Sequence, residues 1–177
     1  LSVLTGSHVG YQEIARAIKQ LLNIPIIWGG PHATFFPEVI ELDCADAVCI
    51  GEGEEAAVEF ADAFDAAGKT LPIDTPNFWV KRDGVIHRNA VRPRNRSLDD
   101  LPYPARDLYY DQFPILKNHG IKHFLAHRGC PYKCTYCFNH SFNQIYRDQA
   151  GDKKVFHSRK PDLIVDEILW LQSQAPI

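Results

Sequence analysis

The sequence predicts an α/β protein in which part of a parallel-sheet domain is followed by a linker and by the opening of a second α/β domain. Residues 1–68 alternate between short apolar runs and helical patterns, which indicates a parallel sheet with crossover helices. An apolar run at 121–126 and an amphipathic pattern at 162–172 repeat the strand-and-helix order later in the chain. The predicted segments are a first α/β domain, a hairpin with a proline-rich linker, and a strand–loop–helix unit, at 1–75, 76–118 and 119–177.

The first domain is predicted to contain three strands and three helices. The strands are the apolar runs at 1–5, 24–28 and 47–50. Ligands of parallel sheets bind at the carboxyl ends of the strands, and glycines follow each of these runs. Glycine allows a ligand to approach the backbone closely, so this edge is the predicted binding edge. The helices are the periodic segments at 8–23, 37–42 and 54–67.

The middle segment predicts a hairpin and then an extended linker. A hairpin is predicted at 77–89, around the favoured two-residue turn Asp83-Gly84. Pro102 and Pro104 predict an extended chain, which we expect to pack along a neighbouring element.

Composition and charge exclude several classes of protein. A net charge of −3 gives no indication of binding to nucleic acid, and no apolar run approaches the roughly 20 residues that span a bilayer. The chain has five cysteines, an odd number, and no secretory signal, which favours a reducing, cytoplasmic compartment. Leu1 lies inside a predicted strand and the sequence has no methionine, so we expect either an internal piece of a longer protein or a sequence that lacks its methionine positions.

Three cysteines at C-x3-C-x2-C spacing follow the apolar run at 121–126. Cys130, Cys134 and Cys137 can bring three thiolates to one soft metal centre, as in iron–sulfur proteins. Three protein ligands would leave one iron of a four-iron cluster open to a small molecule. The same residues, with His140 as a fourth ligand, could instead hold a structural zinc ion. The spacing alone leaves both alternatives open.

The cysteine stretch, with Tyr136 before the last cysteine, resembles the radical S-adenosylmethionine (SAM) signature C-x3-C-x-aromatic-C. The resemblance implies a 4Fe–4S cluster on Cys130, Cys134 and Cys137, whose open iron binds SAM. It also implies that Tyr136 packs near the adenine of SAM. One electron from the cluster would then cleave the sulfonium and yield a 5′-deoxyadenosyl radical.

A second resemblance lies in the first domain. Ser2-Val3-Leu4 and Gly29-Gly30, with 27 residues from the serine to the first glycine, resemble the S-x-L and G-G pair of cobalamin-binding domains. With the stretch GGPHATFFPE and the turn GEGE, nearly the whole chain is similar to cobalamin-dependent radical SAM proteins, which include methyltransferases and an anaerobic porphyrin cyclase. The resemblance implies that the cobalamin slot is lined by Ser2, Leu4, Gly29, Gly30, Gly51 and Gly53.

The resemblance also implies a fold and an activity. The fold would be the C-terminal half of a flavodoxin-like (Rossmann-like) domain joined to the start of a partial (β/α) radical SAM barrel. The parent enzyme would abstract hydrogen from an unactivated carbon of a small molecule and then transfer a methyl group or complete an oxidative cyclisation. An electron donor such as a flavodoxin or ferredoxin is implied, without nucleic acid or membrane insertion. We expect the 177 residues alone to lack turnover. Two alternatives stay open, the zinc module and a radical SAM protein whose first domain binds no cobalamin.

Overall fold

The computed structural model describes residues 1–95 and 97–176, which contain two β-sheets and seven α-helices. None of the helices in these two ranges is long and apolar enough to cross a membrane. The elements in chain order are α1 (His8–Leu21), β1 (Ile27–Trp28), α2 (Gly30–Phe35), β2 (Ala47–Cys49), α3 (Glu54–Ala66), β3 (Phe78–Arg82), β4 (Val85–Arg88), α4 (Asp107–Tyr110), α5 (Pro114–Asn118), β5 (His127–Gly129), α6 (Asn139–Ala150), β6 (Phe156–Ser158) and α7 (Pro161–Gln172).

The chain divides into two compact units. The first comprises Leu1–Arg94 and Ser141–Lys153, so most of α6 belongs to it. The second comprises Asn95–His140 and Lys154–Ile177. The predicted division at 75 and 118 remains a prediction about the domains of the protein.

The first unit is built on a mixed sheet with the strand order β1-β2-β3-β4. The strands β1 and β2 are parallel, with Trp28 opposite Val48, and β3 runs antiparallel to β2. Ahead of them, Ser2 makes a single parallel bridge to Gly29. The predicted strand at 1–5 is therefore wrong in its length, because the backbone turns into a 3-10 helix at Thr5–Ser7 and only the bridge remains.

Side chains of β2 alternate between the two faces of this sheet, and each face carries its own apolar core. Val48, and Ile50 directly after the strand, face the larger core, which includes residues of α1 and α6. Ala47 and Cys49 face the smaller one, where Phe60 of α3 stacks on Phe78 at 4.1 Å between ring centroids. Helices thus cover both faces, as expected for an α/β domain with buried central strands.

The long helices of the first domain are confirmed, and the short ones differ. The predicted helices at 8–23 and 54–67 are α1 and α3. The helix predicted at 37–42 is a 3-10 helix at Pro37–Glu41. The helix α2 was not predicted; it starts at Gly30, directly after β1, and Pro31 occupies its first turn.

The predicted hairpin is confirmed as β3 and β4. Asp83 (φ 53°) and Gly84 (φ 77°) both have positive φ, as a type I′ turn requires. Since β3 pairs with β2, the hairpin extends the sheet of the first unit.

The second unit contains a short antiparallel sheet in which β5 pairs with β6. The strand predicted at 121–126 is wrong, because in the described residues the strand that pairs with β6 begins at His127, and only the carbonyl of Ala126 extends this pairing into the predicted run. Leu125 accordingly remains 61% exposed. The predicted helix at 162–172 is confirmed as α7, with Pro161 in its first turn. The proline-rich linker packs on it as expected, with the ring of Tyr103 5.4 Å from that of Trp170.

Candidate functional site

Gly30 allows the start of α2 to lie directly against the backbone at Ser2. Its φ of +85° is in the left-handed region, where a residue with a side chain is strained. A Cβ at this position would lie 2.8 Å from the Val3 nitrogen and 2.9 Å from Ser2 Oγ. The backbone of Val3 also donates to Gly29 O (2.9 Å). The structure therefore brings Ser2, Gly29 and Gly30 together at the carboxyl end of β1.

Gly29 and Gly53 lie at the same edge and differ from Gly30 in having room for a methyl group. A Cβ on Gly29 would be 3.8 Å from Cys49 Cβ, and one on Gly53 would be 3.7 Å from Cys49 Sγ, both ordinary contacts. The two glycines therefore flank the end of β2, where Cys49 is buried beneath them. Leu4, the remaining residue of the S-x-L pattern, is 64% exposed.

Gly51 lies against Tyr146, a residue of α6 that the sequence analysis did not identify. Its φ is +81°, and its N–H donates to Thr34 Oγ1 at 3.0 Å. A Cβ on Gly51 would lie 2.9 Å from Cζ of Tyr146. The hydroxyl of Tyr146 accepts a hydrogen bond from the Glu52 N–H at 2.6 Å. Burial raises the pKa of Tyr146 well above its usual range, so the hydroxyl stays protonated in neutral solution. Tyr146 thus fixes the turn after β2.

Replacing Tyr146 with phenylalanine should destabilise the first unit. The substitution removes the acceptor for the Glu52 N–H and leaves that donor without its partner, which typically costs about 1–3 kcal/mol. Urea denaturation followed by circular dichroism measures the change in the free energy of unfolding. The matched control is Tyr109→Phe, at a tyrosine that is 62% exposed. Equal stabilities for the two variants would contradict the role of Tyr146.

A pair of stacked imidazoles lies beside the same edge. The rings of His8 and His32 are 4.4 Å apart between centroids, and Nδ1 of His32 is 3.4 Å from Thr5 Oγ1. Burial, and then the neighbouring His8, lower the pKa of His32. His32 therefore stays uncharged at neutral pH and is a neutral polar group beside Thr5.

The three loop cysteines follow β5 directly in the second unit. Gly129 ends the strand with a φ of +83°, and a Cβ there would be 3.1 Å from the carbonyl carbon of Val155, so the turn into Cys130 needs glycine. The Cys137 N–H donates to the carbonyl of Cys134 at 3.1 Å, which closes a tight turn between those two ligand candidates.

All three cysteines carry reduced thiols, with Cys134 exposed and Cys130 and Cys137 half-buried. Across residues 1–95 and 97–176, no three His, Cys, Asp or Glu side chains are grouped closely enough to hold a metal ion. The three loop sulfurs therefore do not converge on one point in this structure, and neither do the four candidate zinc ligands that include His140. The donor set nevertheless fits an iron–sulfur cluster, because three accessible thiols lie on one short loop. Tyr136, 91% exposed, is next to the third of them.

Comparison with known proteins gives the class of the first unit. Residues 1–61 match the B12 binding domain family. An uncharacterised methyltransferase of Pyrococcus horikoshii is 33% identical over 150 residues, which cover 81% of this chain and 31% of that protein. The anaerobic magnesium-protoporphyrin IX monomethyl ester cyclase of Rubrivivax gelatinosus is 28% identical over 92% of this chain and 28% of its own length. The chain thus spans less than a third of these relatives.

Solved structures show the same fold. The radical SAM methyltransferase TsrM of Kitasatospora setae, with tryptophan substrate and a SAM analogue bound, matches with a TM-score of 0.61 and 21% identity, over 93% of this chain and 30% of that one. TsrM with cobalamin and a [4Fe-4S] cluster bound matches with a TM-score of 0.57 and 20% identity, over 93% of this chain and 31% of that one.

The mixed sheet and the glycine-lined edge, with the family match over residues 1–61, define a B12-binding α/β domain. The cysteine loop follows that domain, and the similarity to the methyltransferase and to the cyclase continues through it. The chain therefore contains a B12-binding domain, and over most of its length it is similar to proteins named as a methyltransferase and as a porphyrin cyclase.

Proposed function

We propose that this chain joins the cobalamin and cluster sites of a radical SAM enzyme. The observation that carries the proposal is the loop of three reduced cysteines after β5, in a chain whose first 61 residues match a B12 binding domain. In this proposal Cys130, Cys134 and Cys137 ligate three irons of a 4Fe–4S cluster. Tyr136 packs near the adenine of SAM. When bound, the cluster supplies the electron that cleaves SAM reductively.

The first unit would hold cobalamin at the carboxyl edge of its sheet. Ser2, Gly29 and Gly30 are adjacent there, and Gly53 lies beyond Cys49 along the same edge. We assign these residues, with Leu4 and Gly51, to the slot for the nucleotide tail of cobalamin. The contribution of Gly51 would be indirect, because its Cα faces Tyr146.

The reaction we propose is methyl transfer to, or oxidative cyclisation of, an unactivated carbon of a small molecule. The relatives support this class, since one is named as a methyltransferase and another as a cyclase. A one-electron donor of the flavodoxin or ferredoxin type would reduce the cluster in the cytoplasm. The protein would position the cofactors and exclude water and oxygen.

Anaerobic reconstitution with iron and sulfide tests the cluster. The wild-type chain should take up about four iron and four sulfide per chain. The zinc alternative predicts a different result, about one zinc without sulfide, because a structural zinc site is filled by Cys130, Cys134, Cys137 and His140. That second result would remove the basis for SAM cleavage.

A titration with hydroxocobalamin, followed by absorbance, tests the first unit. The variant Gly29→Ala should bind at least about 10-fold more weakly, because the added methyl narrows the proposed slot while meeting only ordinary contacts in the fold. The midpoint temperature of thermal unfolding should be the same for Gly29→Ala and for the wild type. The control is Gly10→Ala in α1, where a Cβ has nothing within 4 Å. Absence of a spectral change with the wild-type chain would contradict cobalamin binding.

A further inference from the structure

A buried carboxylate in the second unit is shared by two arginines. Glu167 of α7 is 2% exposed. Its Oε1 accepts from Arg106 Nη2 and its Oε2 from Arg159 Nη1, each at 2.8 Å. The side chains of both arginines are also largely buried. Charges removed from water are stable only when they are closely paired and hydrogen-bonded, so Glu167 is required to hold both guanidiniums in place.

Arg106 connects this carboxylate to the chain just before β5. The same Nη2 that contacts Glu167 donates to the carbonyl of His123 at 3.1 Å. The guanidinium also lies over the ring of Phe124, 5.1 Å from its centroid. Arg106 therefore anchors the segment that leads into β5 and the cysteine loop.

Arg159 connects the carboxylate to β6, the partner strand of β5. Its backbone N–H donates to the carbonyl of Ala126 at 2.9 Å, which continues the β5–β6 pairing by one residue. Its Nη2 donates to the carbonyl of Leu101 at 3.4 Å. At the other end of this pairing, Gly129 faces Phe156, and Cys130 follows at once.

We propose that Glu167 is a positioning residue for the cysteine loop, acting through Arg106 and Arg159. Arg106 holds the segment before Cys130 at the carbonyl of His123, and Arg159 holds it at the carbonyl of Ala126. Without the carboxylate the buried guanidiniums would repel each other. The hydrogen bonds from Arg106 to His123 and from Arg159 to Ala126 would then weaken. The part of this inference that concerns the cluster rests on the proposed function, and the part that concerns the loop backbone does not.

The variant Glu167→Gln tests the inference, because it keeps the size of the side chain and removes its charge. In the full chain without iron, amide hydrogen exchange over 123–130 should be about 10-fold faster than in the wild type, with the first unit unchanged. After anaerobic reconstitution the variant should retain about half the wild-type iron and sulfide or less. The matched control is Asp166→Asn, at the exposed neighbouring carboxylate on α7, which should resemble the wild type in both measurements.

A second variant, Arg106→Lys, covers the case in which Glu167→Gln fails to fold. Lysine keeps the positive charge, but it lacks the rigid, planar guanidinium that places Nη2 between Glu167 and the His123 carbonyl and lies over the ring of Phe124. Faster exchange over 123–130 in this variant would support the inference. Unchanged exchange over 123–130 in a folded variant would overturn it, whether or not the wild type binds a cluster. A wild-type chain that takes up no iron and sulfide would instead contradict the proposed function, while the exchange data would still decide the role of Glu167.

Discussion

Replacing Cys134 with serine is expected to abolish the iron–sulfur cluster of the reconstituted chain. A thiolate is the ligand that iron–sulfur clusters use, and a serine hydroxyl at this position would leave a second iron without a protein sulfur. Cys134 is exposed on its loop, so the substitution should leave the stability of both units unchanged. Iron and sulfide analysis, with electron paramagnetic resonance of the reduced sample, measures the loss.

Cys44→Ala is the matched control for this experiment, because it also leaves four cysteines but removes a buried one from the first unit. It should retain the full iron and sulfide content. If Cys134→Ser kept about four iron atoms per chain, Cys134 would not be a ligand and the proposed site would be wrong. If His140→Ala abolished metal binding as well, the zinc alternative would be favoured, since the cluster needs no histidine.

Replacing Gly30 with alanine is expected to destabilise the first unit severely. A residue with a side chain at a φ of +85° costs on the order of 1–3 kcal/mol. The added Cβ would also overlap the Val3 nitrogen and Ser2 Oγ, and such overpacking typically costs about 1–3 kcal/mol more. The combined loss of about 2–6 kcal/mol is a large part of the roughly 5–15 kcal/mol that stabilises an ordinary domain. Urea denaturation measures it.

The neighbouring variant Gly29→Ala distinguishes a loss of stability from a loss of cobalamin binding. Gly29 has extended backbone, and a Cβ there meets nothing closer than 3.8 Å. We expect Gly29→Ala to be as stable as the wild type and impaired only in cobalamin binding. A Gly30→Ala chain as stable as Gly29→Ala would show that the contact between α2 and Ser2 is not required.

The sequence predicted correctly those elements whose conformation depends on residues close together in the chain. The helices α1, α3 and α7 carry apolar residues at helical spacing, and the turn Asp83-Gly84 carries its own conformational preference. The strand predicted at 121–126 is wrong because strands depend on a partner, and no local pattern shows how far β6 extends. A signal for α6 was present, since Ile145 and Tyr146 follow Phe142 at spacings of three and four residues, and all three pack in the same core.

The candidate ligands were predictable from spacing, whereas the residues that support them were not. Cys130, Cys134 and Cys137 lie within one short loop, so the sequence alone identifies them. The hydrogen bond from Glu52 to Tyr146 joins residues 94 positions apart, and that from Arg106 to Glu167 joins residues 61 apart. Contacts of this kind depend on the tertiary fold, and a single sequence contains no pattern for them.

The burial of Cys44 and Cys49 divides the five thiols into two chemical classes. Burial raises the pKa of Cys49 to about 11 and also raises that of Cys44, so both stay protonated and shielded in neutral solution. Since the thiolate is the reactive form, alkylating reagents and oxidants will attack the loop cysteines first. Exposure to air can therefore destroy the capacity to load iron while the core of the first unit stays chemically intact, and a normal circular dichroism spectrum is no evidence of a competent sample.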